Sequence, residues 1–454
     1  MRYTIRMAAQ GYTRNRLVVV SMDGLSETET GDLRRFPHFS SLLDRGAVLG
    51  TVAGVYPSLT YVVHATMVSG RYPDCHGIDH NHPLQPGVPQ GLQRWYWYAH
   101  ELTGPTLFDA AHAAGLKSAA VLWPLTARGR PTWNFPEIVA LPGENQILKV
   151  LMSGSPGYLL ELQLRFGRYR KGGGQPHLDD FVSRCASFTL EKKRPDLLMT
   201  HLIGLDDAKH KSGTRSPETD QALRSLDDNL GRILEGIDRA GGMETTNLVL
   251  IGDHGHIDIQ RRVRLNRLLI KAGLAPEQAR ETRSPFQGFP PGCRAWFRCS
   301  GGSAFLHIKP GDSQAANQAA DLLAEAAAEP GLGIGTIHRG KALRSLRCGR
   351  NSLGLSCAVD ALPGTQFVED PWGEFFERSP APGAFGADHG YPPGMPDYRG
   401  IFLALGPSVR PSADTFAFNM VDVAPTLAKM LHIELDNKDG CMEGRVVPGL
   451  LAQD

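Results

Sequence analysis

Short apolar runs closed by turn residues recur along the chain, at residues 17–21 (LVVVS), 118–123, 196–203, 247–252 and 400–406. Between them lie stretches of helical period, among them TLFDAAHAAG at 106–115, the long segment 218–240 and VDVAPTLAKMLH at 421–432. Strands that alternate with helices predict an α/β fold, with a parallel or mostly parallel central sheet covered by helices on both faces.

From about residue 260 to 386 the rhythm breaks and the chain becomes rich in Pro, Gly, Arg and Cys. This stretch holds a predicted strand, SAFLHIK, an Ala-rich helix, ANQAADLLAEAAAE, and a second strand, TQFVED. The expected organisation is an N-terminal extension over 1–16, a catalytic core over 17–259 and 387–454, and a smaller inserted α+β subdomain over 260–386. There is no internal repeat.

With 454 residues, 41% of them hydrophobic and 21% charged, the chain can bury a large core. A net charge of +1 gives no electrostatic footprint for a nucleic-acid polymer or a membrane surface, so an anionic substrate must be held by local features. The opening MRYTIRMAAQGYTRNR is basic but lacks the apolar run of a signal peptide, and no segment approaches the roughly 20 apolar residues of a membrane span. Seven cysteines stand without CxxC spacing, an odd number, which makes a reducing cytoplasm the expected home. Export would allow Cys293 and Cys299 to pair. Nothing in the sequence specifies an oligomeric state.

Acidic and histidine residues gather just after the predicted strands, where open α/β sheets place their ligands. Asp23 follows LVVVSM, Asp206 and His210 stand in LDDAKH, Asp253 and His254 follow NLVLIG, and His389 lies in GADHGY. A single Asp after a strand is ordinarily a helix cap. Independent caps, however, have no reason to come as Asp-x-x-x-His and Asp-His-Gly after separate strands. Three aspartates and three histidines are the donor mix of zinc, enough for two ions.

A nucleophile candidate comes from VYPSLTYVVHATMVSGRYPDCHGIDHN, where Pro57 and Ser58 predict a turn and a helix start and Gly70 ends the helix. A hydroxyl at a helix N-terminus meets exposed N–H groups and the positive end of the dipole, which suits an alkoxide and a phosphate. Free threonine is a poor nucleophile; beside a metal ion it loses its proton more readily. Thr60 is so placed, and Ser58 is expected to act as the helix cap.

The run SMDG, the PSxTxxxH segment leading into SGRYPxxHGIxxN, the DxxxH pair, GDHG and the late HGY resemble the nucleotide pyrophosphatase/phosphodiesterase branch of the alkaline phosphatase superfamily. The resemblance implies an alkaline-phosphatase-like core. It implies two zinc ions, one held by Asp23, Thr60, Asp253 and His254, the other by Asp206, His210 and His389. It also implies that Asn81, with the nucleophile's backbone N–H, steadies a non-bridging phosphoryl oxygen. The implied activity is hydrolysis of phosphate diesters or pyrophosphate links in a small-molecule substrate, through a phospho-threonine that water then hydrolyses from the opposite side. A phosphomonoesterase or phosphonate hydrolase on the same core is the alternative.

Leu59, Val62 and Val63 depart from the family pattern and predict a more apolar entrance. No lysine or arginine precedes Arg71 in the nucleophile segment, which favours diesters over more highly charged monoesters. His64, His76, His80 and His82 are expected to pack or hydrogen-bond, His256 and Asp258 to be loop residues, and Asp388 to be a turn residue, with support of a ligand histidine as the alternative. The run Trp95 to Tyr98 suits an aromatic entrance or plain packing equally. No Cys/Ser-x-Pro-x-Arg string of the sulfatase kind occupies the nucleophile position, and a non-catalytic scaffold would be expected to have lost ligands, whereas all seven positions are filled.

Overall fold

The computed structural model describes residues 15–276, 288–349, 354–412 and 415–452; most of the expected N-terminal extension lies outside them. The predicted apolar runs form the middle of an eight-stranded sheet. Its strands are β1 (Arg16–Met22), β2 (Val48–Ala53), β3 (Ser118–Trp123), β4 (Trp133–Pro136), β5 (Leu197–Leu202), β6 (Thr246–Ile251), β7 (Gly400–Leu405) and β8 (Phe416–Asn419). In space they run β8-β2-β7-β6-β1-β5-β3-β4. Neighbours pair in parallel except where β7 runs antiparallel to both β2 and β6. The mostly parallel sheet expected from the sequence is therefore correct, with one strand reversed.

Burial explains the continuous apolar runs. Every residue of β3, β5 and β6 is buried, so neither face of these strands can be polar. Alternate residues of β1 serve two cores: Leu17 and Val19 pack with the helix Thr60–Ser69, while Val18, Val20 and Met22 pack with the helices His177–Phe188 and Pro217–Arg239. The sequence missed β2. Its apolar and half-buried positions alternate, and Gly50 interrupts them, because the Phe416 carbonyl oxygen of β8 comes within 2.7 Å of where a Cβ would stand.

Residues beyond β6 build a four-stranded antiparallel sheet in the order Ile334–His338, Leu355–Ala361, Ser303–Ile308, Ala295–Cys299, backed by the helix Ser313–Ala327. These elements share a third apolar cluster that also takes in Leu84, Tyr391 and Tyr398. Among the described residues no helix is long and apolar enough to cross a membrane.

One buried ion pair ties the helix Gly204–Ser212 to the segment after β1. Lys209, fully buried, donates to Glu29 Oε1 at 2.9 Å and to the Gly24 carbonyl at 2.8 Å. Burial opposes the charge on Glu29, but Lys209 and the Ser26 backbone hold its carboxyl below the ordinary value. Removing one partner strands the other's charge. Lys209→Ala is expected to destabilise the fold by about 3–5 kcal/mol, whereas a double replacement of Lys209 and Glu29 by apolar residues costs less. Urea unfolding followed by circular dichroism checks both.

Candidate metal centre and nucleophile

Strands β6, β1 and β5 lie side by side and parallel, so their carboxyl ends bring Asp253, Asp23 and Asp206 to one edge of the sheet. Two glycines make the close packing possible. Gly24, at φ +73°, lets its N–H donate to Asp253 Oδ1 at 3.0 Å. A Cβ on Gly252 would run into the Leu25 carbonyl oxygen.

Asp206 and His210 share one face of the helix Gly204–Ser212, with His210 Nε2 3.3 Å from Asp206 Oδ1. Asp179 accepts from the N–H groups of Ile203 and Gly204 at 3.1 and 2.8 Å and so fixes the start of that helix. His389 arrives from the opposite direction: β7 is reversed, so the chain just before it lies at the same edge as the ends of the parallel strands. Its Nε2 is 3.8 Å from Asp206 Oδ1. His210 Nδ1 lies 2.9 Å from the Ala387 carbonyl and His389 Nδ1 3.1 Å from that of Ser58. With each Nδ1 turned to a backbone carbonyl, both Nε2 atoms face the Asp206 carboxylate, the orientation found in metal-ligating histidines.

On the other side, Thr60 opens the helix Thr60–Ser69, which Gly70 ends in the left-handed conformation at φ 67°. Its Oγ1 is 3.3 Å from His254 Nε2, which is in turn 3.4 Å from both Asp23 Oδ1 and Asp253 Oδ2. Ser58 is not the cap expected of it. Leu59 holds the cap position, and Ser58 Oγ donates instead to the carbonyls of Val55 and Tyr391, because the turn directs it at the loop that carries His389. Asn81 Oδ1 accepts the Tyr61 N–H at 3.0 Å, which leaves the amide's Nδ2 as a donor.

The electrostatics call for positive charge. Burial, and then the charges of Asp206 and Asp253, push the Asp23 carboxyl well above its ordinary range. For Asp206 burial works in the same direction, yet the His210 and His256 rings hold it well below. Burial and the neighbouring His389 keep His254 neutral, far below the usual imidazole value. Asp23 Oδ1, Asp253 Oδ2 and His254 Nδ1 are buried with no hydrogen-bond partner. Buried orphan oxygens among imidazole nitrogens are what a divalent cation of the zinc type satisfies. Two overlapping groups, Asp23 with Asp253 and His254, and Asp206 with His254, His256 and His389, present donor atoms close enough to share an ion.

His256, expected to be a loop residue, belongs to this constellation. Its Nε2 approaches Asp206 Oδ1 to 2.9 Å, closer than His210 does, and its ring is fully buried. The signal was present in GDHGH, two residues after His254, but only the fold brings it to Asp206. Another residue the sequence did not single out, His201 of β5, has its Nε2 3.2 Å from Asp23 Oδ2 and its Nδ1 3.1 Å from Glu137 Oε2. Glu137 also accepts from Tyr61 Oη at 3.0 Å, so a chain of contacts runs from Asp23 to the residue that holds Asn81.

The other sequence candidates lie at varying distances from this centre. His64 Nδ1 bonds the Thr60 carbonyl at 2.7 Å and lies 3.8 Å from Asp253 Oδ2, and His76 bonds Thr66. Asp258 accepts from Thr214, away from the centre. Asp388 accepts the His389 N–H at 2.8 Å and lies 3.7 Å from His210 Nδ1, so it both shapes the turn and flanks a candidate ligand histidine. Tyr96 and Trp97 are buried in the core and Trp95 packs edge-on against Tyr61.

Residues 17–391 match the family model of type I phosphodiesterase/nucleotide pyrophosphatase. The chain is 26% identical over 265 residues to venom phosphodiesterase 2 of Crotalus adamanteus, covering 55% of this chain and 28% of that protein. It is 24% identical over 264 residues to ectonucleotide pyrophosphatase/phosphodiesterase family member 3 of Rattus norvegicus, covering 54% and 25%. It thus spans about a quarter of the length of these curated relatives. In fold it resembles murine ectonucleotide pyrophosphatase/phosphodiesterase 5, with a TM-score of 0.65 at 20% identity over 96% of this chain and 100% of that one. An inactive form of that murine protein, with alanine in place of a threonine and in complex with AMP, gives 0.63 at 20% identity over 93% and 96%.

Because His256 touches Asp206 directly, His256→Ala is expected to weaken metal binding by about ten- to a hundredfold. Competition titration of the metal-stripped chain against a chromophoric chelator measures this. Unchanged affinity would leave His256 as a packing residue.

Proposed function

The chain belongs to the type I phosphodiesterase/nucleotide pyrophosphatase family, and from that premise we propose that it is a zinc-dependent hydrolase that cuts phosphate diester or pyrophosphate links through a phospho-threonine on Thr60. The observation that carries this reading is the position of Thr60 Oγ1, at a helix N-terminus and 3.3 Å from His254 Nε2, beside the orphan oxygens of Asp23 and Asp253.

Asp23, Thr60, Asp253 and His254 would hold one zinc ion, and Asp206, His210 and His389 the second. Bound there, two cations supply the positive charge that favours the threonine alkoxide and neutralises the attacking and leaving oxygens of an in-line displacement. The chain's own groups do the rest. Thr60 Oγ1 attacks phosphorus, the ester oxygen leaves, and water later displaces Thr60 and regenerates the hydroxyl. A non-bridging phosphoryl oxygen is held by Asn81 Nδ2 and the Thr60 N–H, one of the helix-start donors that lack an intrahelical acceptor. The Tyr61 N–H fixes which end of the Asn81 amide faces that oxygen.

Support for diesters comes from the fate of two buried cations near the site in sequence. Arg71 is bound to Asp439 at 2.6 Å, and Lys209 to Glu29. Neither is available to meet the extra charge of a monoester. The AMP complex of the murine relative fits a nucleotide leaving or retained group. The apolar entrance expected from Leu59, Val62 and Val63 is not formed by them, because all three side chains are buried in the core that packs the helix against the sheet.

Thr60→Ala is expected to keep the fold and most of the bound zinc but to lose at least about a thousandfold in kcat, the scale of removing covalent catalysis while metal electrostatics and positioning remain. Single-turnover assays with acid quench and intact mass should find the phosphoryl group on Thr60 of the wild type. Finding it on Ser58, or full rate in Thr60→Ala, would sink the assignment.

For substrate class, kcat/KM on an aryl diester should exceed that on the matching aryl monoester. A tenfold preference for the monoester, about 1.4 kcal/mol of transition-state discrimination, would make the protein a phosphomonoesterase. Faster turnover of an aryl phosphonate would make it a phosphonate hydrolase.

A further inference from the structure

The fold brings together two cysteines that the sequence gives no reason to pair. Cys75 lies in the short helix Pro73–His76, just after the nucleophile helix, and Cys441 lies 366 residues later in the C-terminal tail; their Sγ atoms are 2.7 Å apart. That is about 0.7 Å more than a disulfide bond. Both side chains are thiols and both are half-buried. Cys293 and Cys299, which the sequence would allow to pair only on export, each have Sγ turned to a backbone carbonyl, those of Ala295 and Phe297.

Contacts on both sides of the two cysteines hold them in place. Arg71, 1% exposed, donates to both Asp439 oxygens, at 2.6 and 3.0 Å. Arg71 also pairs with Met442 in an antiparallel bridge, and the Gly70 carbonyl accepts from the Glu443 and Gly444 N–H groups at 3.3 Å. Across from these, Arg347 donates to Asp74 at 2.5 Å and to Glu443 at 2.6 Å, clamping a residue beside Cys75 to one beside Met442. The tail is thus docked by charge and backbone pairing independently of the sulfurs, and the sulfurs meet at the centre of that docking.

We propose that Cys75 and Cys441 form a disulfide that fastens the C-terminal tail across the end of the nucleophile helix when the folded chain meets a small-molecule disulfide oxidant. The exchange balances as two steps. The Cys441 thiolate attacks one sulfur of glutathione disulfide and expels a glutathione thiolate. The Cys75 thiolate then attacks Cys441 Sγ in the mixed disulfide and expels the second. The two protons lost by the cysteines end on the two glutathiones, so the protein is oxidised by two electrons and the glutathione disulfide reduced by two. Burial and the adjacent Cys441 push the Cys75 thiol up to about 11, so little of it is thiolate near neutral pH and the second step is expected to quicken as the pH is raised.

The test is to incubate the full chain with glutathione disulfide, denature it in N-ethylmaleimide, and map the peptides without reduction. The expected result is two fewer maleimide groups than on the reduced chain and a linked peptide joining Cys75 to Cys441. The oxidised chain should also melt at least about 2 °C higher than the reduced one. In the double variant Cys75→Ser with Cys441→Ser, both the link and the redox dependence of melting should vanish. Complete alkylation of both cysteines after oxidant treatment, a persistent glutathione adduct on either, or a link between other cysteines would each overturn the proposal. The peptide map of the wild type decides the matter even if the variant does not fold.

Discussion

Three aspartates share one edge of the sheet because three parallel strands do. Asp253, Asp23 and Asp206 follow β6, β1 and β5, which are adjacent, and strand spacing of about 4.8 Å leaves their carboxylates little room to separate. Burial removes the water that would screen them, so Asp23 is driven towards its neutral form by burial and by its two neighbours. Such a cluster is relieved by a proton or by positive charge placed inside it. The surrounding histidines stand where they could help hold a cation.

The supply of imidazoles depends on one reversed strand. Because β7 is antiparallel to β6 and β2, the residues just before it reach the carboxyl edge of the sheet, and His389 stacks on His254 with ring centroids 3.8 Å apart. Turning β7 around would carry His389 to the far edge. Helix geometry places His210 with equal economy, since a four-residue spacing puts it on the face of Asp206. His256 is added by the turn after β6 and stands against the same carboxylate.

Beyond the ligands, the site is braced by a path of polar contacts through the core: Asp23, His201, Glu137, Tyr61, Asn81. Burial opposes a charge on His201, but Asp23 and Glu137 on either side raise its affinity for a proton well above the ordinary imidazole range. This path connects the carboxylate wall to the helix that begins at Thr60 and to Asn81, which the Tyr61 N–H holds. The tail contacts around Arg71 brace the other end of the same helix.

The α/β class, five of the eight strands of the main sheet, the helix from Thr60 and its glycine stop were legible in the sequence, because each is a local pattern: a buried strand must be apolar on both faces, and a helix must end where a glycine can take a positive φ. The pairs Asp206 with His210 and Asp253 with His254 stand out in the sequence for a related reason, since Asp-x-x-x-His and Asp-His-Gly are spacings that one helix or one turn converts into proximity, whereas the full set of seven expected ligands rests on the family resemblance. What the sequence left undetermined is whatever depends on which strands are neighbours. The strand order and the reversal of β7 decide that His389 joins Asp206, that His256 and His201 become part of the centre, and that Ser58 serves the His389 loop rather than the helix it precedes. The same holds for Cys75 and Cys441, whose meeting across 366 residues follows from the docking of the tail. Local spacing carries no information about contacts between segments far apart in the chain; packing the two cores against the sheet is what chooses them.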